Sequence, residues 1–192
     1  MTGIGELARV AGEELVPEVP KLLTLLIGML NDQTSIMKRD AALKTLGQVA
    51  SNTGAVIQPY AEHPQLLGIL FRMLRTETSQ PVRLETIRTM GMLGALDPFR
   101  HKLLQGGMDD PNAETSGPRV TDITLLMNIQ TPSTDEYYQT VVVNSLVNVL
   151  NDPTMKEYHY EAIQAVMLIF RAQQLRSVNF LPQVSRHCQG ST

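Results

Sequence analysis

Four histidines, His63, His101, His159 and His187, and the single Cys188 are the residues of this 192-residue chain best suited to hold a metal or to act as acid, base or nucleophile. Their spacing argues against all three roles. A metal site gathers several His or Cys ligands at short intervals. Here only His187 and Cys188 are close, and adjacent positions alone cannot form a site. Signatures of phosphate and hydrolytic chemistry are also missing: there is no GxGxxG or GxxxxGK loop, no HRD or DFG string, no HExxH and no GxSxG. No catalytic, cofactor-binding or metal-binding residue is therefore assigned, and no cofactor is expected.

Charge narrows the partners. The net value is −3, and the 105–133 segment carries most of the imbalance, with Asp109, Asp110, Glu114 and Asp122 against Arg119. The densest basic cluster is Arg72, Arg75, Arg83 and Arg88. It reads as a solvated helix face, with a local patch for an acidic partner as the functional alternative. No basic stripe with interleaved aromatics exists for a nucleic-acid backbone. The longest apolar helix, around Leu22 to Leu30, falls short of the ~20 residues that span a bilayer. With no signal peptide, one cysteine and no N-glycosylation sequon, a reducing, cytoplasmic setting is expected.

The elements that must position these side chains are copies of one unit. PKLLTLLIGML at Pro20 to Leu30 returns as PQLLGILFRML at Pro64 to Leu74, with six of eleven positions identical at an offset of 44. The same offset aligns Arg39 with Arg83, and Leu43, Leu46 and Gly47 with Ile87, Met90 and Gly91. A third copy lies 120 residues after the first: LNDQT at Leu30 to Thr34 returns as LNDPT at Leu150 to Thr154. There Ala42, Leu43 and Leu46 meet Ala162, Ile163 and Val166, and Met167 falls on the glycine position. Near the start IGELA at Ile4 to Ala8 resembles LGQVA at Leu46 to Ala50, which places Gly5 and Gly47 42 residues apart. A period of about 40 to 47 residues marks helical-pair repeats of the HEAT and armadillo kind.

Helical spacing within each copy agrees. Leu22, Leu23, Leu26, Met29 and Leu30 form one apolar stripe, as do Leu66, Leu67, Leu70 and Leu74, and Val142, Val143, Leu146, Val149 and Leu150. The second helices show Leu43, Leu46, Val49 and Ala50, then Leu84, Ile87, Met90 and Gly91, then Ile163, Val166, Met167 and Phe170. Thr34 or Ser35 is expected to cap the helix through Thr53, and Gly54 suits a left-handed stop. Helices are predicted at 2–11, 19–31, 35–53, 64–76, 80–96, 134–151 and 157–175. Tyr158, His159 and Tyr160 should begin the last, with one ring packed.

The fold expected is all-α: a HEAT/armadillo-like α-solenoid of about three helical pairs (19–53, 64–96 and 134–175) after a leading half repeat at 2–11. Residues 1–184 make up the solenoid. The 105–133 segment, with three Gly and three Pro, reads as an inserted flexible loop, and 185–192 as an atypical tail. An insertion there explains why the third copy falls 76 residues after the second. Gly47 and Gly91 cost about 1 kcal/mol each relative to Ala inside a helix, so close approach of a neighbouring helix is the reason to keep them. Missing neighbours at both ends leave apolar faces uncapped, and self-association is expected.

Three strings carry a resemblance: LGQVASNTGAVIQPY from Leu46 to Tyr60, MGMLGALDPFRHK from Met90 to Lys102, and VNFLPQV from Val178 to Val184. In this order, separated by a polar insertion, they resemble a stretch of the HEAT solenoid of the target of rapamycin (TOR) serine/threonine protein kinases, over about residues 4–184. The resemblance implies a non-catalytic scaffold segment in nutrient and growth signalling, upstream of the kinase domain. It also implies docking of a raptor-like subunit or a second TOR protomer, beside adjacent HEAT repeats of the parent chain. No kinase motif transfers to any residue here. After Val184 the family would continue into another apolar helix, whereas this chain ends SRHCQGST, which implies a partial or mis-spliced gene product. Periodicity alone equally allows another HEAT or armadillo scaffold, such as a nuclear transport receptor or a phosphatase scaffold.

Overall fold

In the computed structural model, residues 2–54, 58–94 and 135–173 are described. Helix α1 (Thr2–Ala11) runs into a 3-10 segment, Gly12–Glu18, entered through Gly12 at a φ of 54°. Helix α2 (Val19–Leu30) follows, with Pro20 in its first turn, where a missing N–H costs nothing. Next come α3 (Ile36–Thr53), α4 (Gln58–Glu62), α5 (Gln65–Thr76) and α6 (Gln80–Gly94). Helix α7 (Asp135–Asn151), a 3-10 segment at Pro153–Tyr158 and α8 (His159–Gln173) complete the described residues, among which there is no strand. The chain is an all-α solenoid of HEAT-like helical pairs.

The turn between paired helices is built twice from the same atoms. The Asp32 carboxylate accepts the Thr34 N–H at 2.9 Å and the Thr34 hydroxyl, and 120 residues later Asp152 accepts the Thr154 N–H at 2.8 Å and its hydroxyl at 2.6 Å. These are Asx turns, in which a short side chain replaces a backbone acceptor. A bond from Lys38, then the bonds from Thr34, hold the Asp32 carboxyl below the usual carboxylate range; the Thr154 bonds do the same for Asp152. Ser35 then caps α3 by accepting the Lys38 N–H, and Gly54 ends it in the left-handed region at φ 73°.

Second helices α1, α3, α6 and α8 form one row, each packed on the next, while α2, α5 and α7 lie along the other side. The apolar stripes meet between the rows. Leu23, Leu26, Leu43, Leu46, Leu66, Leu70, Ile87, Met90, Val142 and Leu146 are all essentially inaccessible, and each such side chain contributes about 1.5 to 3 kcal/mol by leaving water.

Within the second-helix row the expected close approach is present, but its tightness varies. A Cβ at Gly91 would lie 2.7 Å from the Ala165 Cβ and 2.9 Å from its Cα, atoms fixed to a helix backbone. At Gly47 the nearest atoms are the Met92 Cε and Sδ at 3.1 Å, the movable end of a flexible chain. Gly5 repeats the arrangement against the side chain of Gln48. Since Gln48 and Met92 are 44 residues apart, α1 meets α3 in the register in which α3 meets α6.

The third unit departs from expectation. Ile163 and Met167 are 46% and 58% exposed, although both were placed on the apolar stripe of α8. The buried line is instead Ala162, Ala165, Val166 and Ile169. The reason is positional: Ile163 and Met167 correspond to Leu43 and Gly47, which face the following unit, and among the described residues none follows α8. The stretch 153–158 is 3-10 rather than α-helix, so α8 starts at His159; Tyr158 is buried there and Tyr160 is 68% exposed. The sequence assigned no element to 12–18 or 58–62. The proposed insertion at 105–133 and tail at 185–192 lie outside the described residues.

Gly91→Ala should lower unfolding free energy by about 1 to 3 kcal/mol through overpacking. Gly47→Ala should be near neutral or stabilising, because Met92 can move aside and the helix gains about 1 kcal/mol of propensity; Gly47→Leu should overpack. Urea unfolding of the variants checks this, and equal losses for the two alanines would remove the distinction.

Candidate interaction surface

Units are joined on one side by a buried charge pair. Arg39 on α3 donates from Nε to Glu77 Oε2 at 2.8 Å and from Nη2 to Oε1 at 3.2 Å, while Nη1 reaches the Asp32 carbonyl at 2.9 Å. Both side chains are under 10% exposed. Glu77 Oε1 also accepts the Ser79 N–H at 3.1 Å, just before α6 begins. One carboxylate therefore ties the first unit to the second and orders the entry of a helix. Burial alone would raise the Glu77 carboxyl; bonds from Arg39, with those from the Ser79 and Thr78 N–H groups, outweigh it and hold the group below its usual range.

Arg83, at the equivalent position 44 residues on, is used differently. It donates to the Glu77 carbonyl and lies 5.2 Å above the Tyr158 ring, a cation–π contact into the third unit. In the third unit the position is taken by His159, whose Nε2 is 3.1 Å from the Asp152 carbonyl, as Arg39 is bonded to that of Asp32.

The outer line of the second helices is more accessible. Lys44 pairs with Asp40 at 2.7 Å, a bond that raises the lysine. Arg88 on α6 grips Glu161 on α8 with two bonds, Nε to Oε2 at 3.1 Å and Nη2 to Oε1 at 2.8 Å, and lies 3.4 Å from Glu85. The bond from Arg88 lowers Glu161 and raises Arg88 itself. Because Arg88 is about half exposed, this pair is worth at most about 1 kcal/mol. Between α6 and α8 an open groove of about 250 Å³ has a floor of Met92, Ala165 and Leu168, with Arg88 and Arg171 among its walls. Its size is that of a few side chains, and its apolar floor is flanked by cationic groups.

The basic cluster expected from sequence is not one patch. Arg83 is held over Tyr158, Arg88 is paired, and Arg72 donates to Asn31 Oδ1 at 2.8 Å. Among the described residues no three His, Cys, Asp or Glu side chains gather as a metal site, and no helix is long and apolar enough to cross a membrane. His63 lies 3.5 Å from the Gln65 amide, and His101, His187 and Cys188 lie outside the described residues. Sequence reasoning missed the acidic partners Glu77 and Glu161. The 76-residue spacing of Glu85 and Glu161, equal to the displacement of the third copy, was the available signal for the second. It also missed the stacking of Tyr60 on Tyr138, with ring centroids 5.3 Å apart, for which no spacing gives notice. Tyr60 is fully buried with no hydrogen-bond partner for its hydroxyl among the described residues, and burial pushes that phenol far up.

Comparison with known proteins decides the family. Residues 56–190 match a family model described as the serine/threonine-protein kinase mTOR domain, and residues 1–49 match a HEAT-like repeat. The chain belongs to the TOR kinase family. It is 43% identical to serine/threonine-protein kinase TOR2 of Saccharomyces cerevisiae over 181 residues, covering 94% of this chain and 7% of that protein. It is 39% identical to serine/threonine-protein kinase mTor of Drosophila melanogaster and 34% to serine/threonine-protein kinase TOR of Arabidopsis thaliana, each covering 94% of this chain and 8% of the relative. The chain thus spans under a tenth of the length of these TOR kinases.

Glu77→Gln should leave Arg39 charged and buried without its counter-ion, at a cost of about 3 to 5 kcal/mol. A carboxyl lowered in the folded state stabilises above its unfolded pKa and loses that contribution as pH falls through the folded value. Stability should therefore fall below about pH 4.3, less steeply in the variant. Chemical denaturation as a function of pH measures both, and identical pH slopes would count against the role of Glu77.

Proposed function

We propose that this chain is a non-catalytic scaffold segment of a TOR-like serine/threonine protein kinase. It contributes protein–protein contacts and complex assembly in nutrient and growth signalling, in the cytoplasm. Phosphoryl transfer belongs to other parts of the parent protein, and the partners are a raptor-like subunit or a second TOR protomer, together with adjacent HEAT repeats. The observation that carries this reading is the second-helix row, where the Arg88–Glu161 pair joins two units beside an open groove lined by Met92, Met167 and Leu168 together with Arg88 and Arg171. Arginine and methionine are enriched at protein interfaces, and thioethers adapt to varied shapes. Within this reading 1–184 acts as one solenoid, with 105–133 an insertion on one of its faces and 185–192 a tail outside the repeats.

Immobilised full chain should capture a purified raptor-like subunit or TOR protomer. Leu168→Asp, in the groove at an exposed position, should weaken capture at least tenfold with helical content unchanged. Retention of neither partner, or undiminished capture by the variant, would overturn the assignment of this surface.

A further inference from the structure

One position of the second-helix row carries a different side chain in each copy. Gln48 on α3, Met92 on α6 and Leu168 on α8 are equivalent by the offsets of 44 and 76. Two of them meet a glycine of the preceding helix, at joints formed wholly by described helices. Where α1 meets α3 that glycine is Gly5, and the Gln48 Oε1 occupies the space a Cβ would take there. Where α3 meets α6 it is Gly47, and the Met92 Sδ and Cε each stand 3.1 Å from the Cβ position. Glutamine and methionine sulfoxide have closely similar shapes: two methylenes, then a centre bearing one accepting oxygen and one further heavy atom. An oxygen added to Met92 Sδ on the Gly47 side would therefore stand where Gln48 Oε1 stands one joint earlier. A donor is already in place, since the Ser51 hydroxyl on α3 donates to Met92 Sδ at 3.3 Å, and a thioether is only a weak acceptor.

From this geometry we propose that Met92 is a methionine-oxidation site, its sulfoxide seated in the clearance left by Gly47 and hydrogen-bonded by Ser51. The oxidant is a hydroperoxide, in the simplest case hydrogen peroxide. A lone pair on Sδ attacks one peroxide oxygen, the S–O bond forms as the O–O bond breaks, and sulfur gives up the two electrons that reduce the peroxide. The departing hydroxide takes the proton left on the transferred oxygen and leaves as water. So small a reagent can reach Met92, which is partly exposed and lines the open groove between α6 and α8. Met73 and Met90, at 4% and 0% exposure, are closed to it. Oxidation keeps the α3–α6 joint packed and makes part of the groove floor polar, because the sulfoxide is a polar group where the thioether was not. The inference rests on helix packing alone and holds whether or not the scaffold assignment does.

Hydrogen peroxide treatment of the full chain, with each methionine followed by peptide mass mapping, tests the reactivity. Met92 should oxidise at least about tenfold faster than Met73 and Met90, with helical circular dichroism unchanged. Met37 and Met167, 84% and 58% exposed, report that the reagent is active. An unmodified Met92 in chains whose Met37 and Met167 are fully oxidised would overturn the proposal, as would a Met92 sulfoxide that appears only together with that of Met90, the mark of an unfolded route. The seating is tested without oxidant by thermal melting of Met92→Gln, which carries the shape of the sulfoxide. It should melt close to wild type, whereas adding Gly47→Ala should lower its melting temperature far more than Gly47→Ala lowers that of the methionine chain, since the new Cβ removes the space. Ser51→Ala should likewise cost more beside Gln than beside Met. Equal shifts in the two backgrounds, or a Met92→Gln chain as destabilised as Met90→Gln, would overturn the assigned seat.

Discussion

The distance between successive second helices governs this structure, and it is set where Gly91 meets the backbone of Ala165. With no side chain between them, the α6 and α8 backbones come close enough for Arg88 to span both helices and grip Glu161, and for Gly94 to admit Ile169 and Val142. A solenoid is stabilised by nearest-neighbour interfaces and not by one central core. A change of spacing at one joint therefore reaches every polar contact across that joint.

The joints differ from copy to copy although the helices repeat. The first is a buried, bidentate Arg39–Glu77 pair, the second sets Arg83 on an aromatic ring, and in the third unit the position holds His159, whose Nε2 lies against the Asp152 carbonyl of its own turn. Buried charge pairs cost desolvation that their attraction only partly offsets, so their value lies in fixing geometry more than in net stability. The starts of the second helices, where Arg39, Arg83 and His159 stand, thus carry the polar contacts of the joints, while Met167 and Arg171 on α8 are exposed.

The repeat offsets made the helical pairs, their buried stripes and the two glycine contacts legible in the sequence, because periodicity is written by the residues that face the core. The fate of Ile163 and Met167 was not, since a stripe shows that a face is apolar but not whether anything covers it. Short 3-10 segments at 12–18 and 153–158 carry too few residues for a period to show. The Arg39–Glu77 partnership depends on how one unit rotates on the next, which no local spacing encodes, and for Glu161 the 76-residue displacement from Glu85 marks its place in the repeat but not its partner Arg88. The four arginines looked like a cluster because sequence proximity was the only distance available; in three dimensions Arg72 and Arg88 serve different joints.

The unequal glycine contacts also have a mechanical meaning. Two backbones in van der Waals contact at Gly91 and Ala165 resist further approach steeply, whereas at Gly47 the neighbour is a thioether with several rotatable bonds, which yields with little resistance. A rod built this way does not bend uniformly. Along the second-helix row, further approach is resisted less between α3 and α6 than between α6 and α8, so Met92 marks the softer of these two contacts.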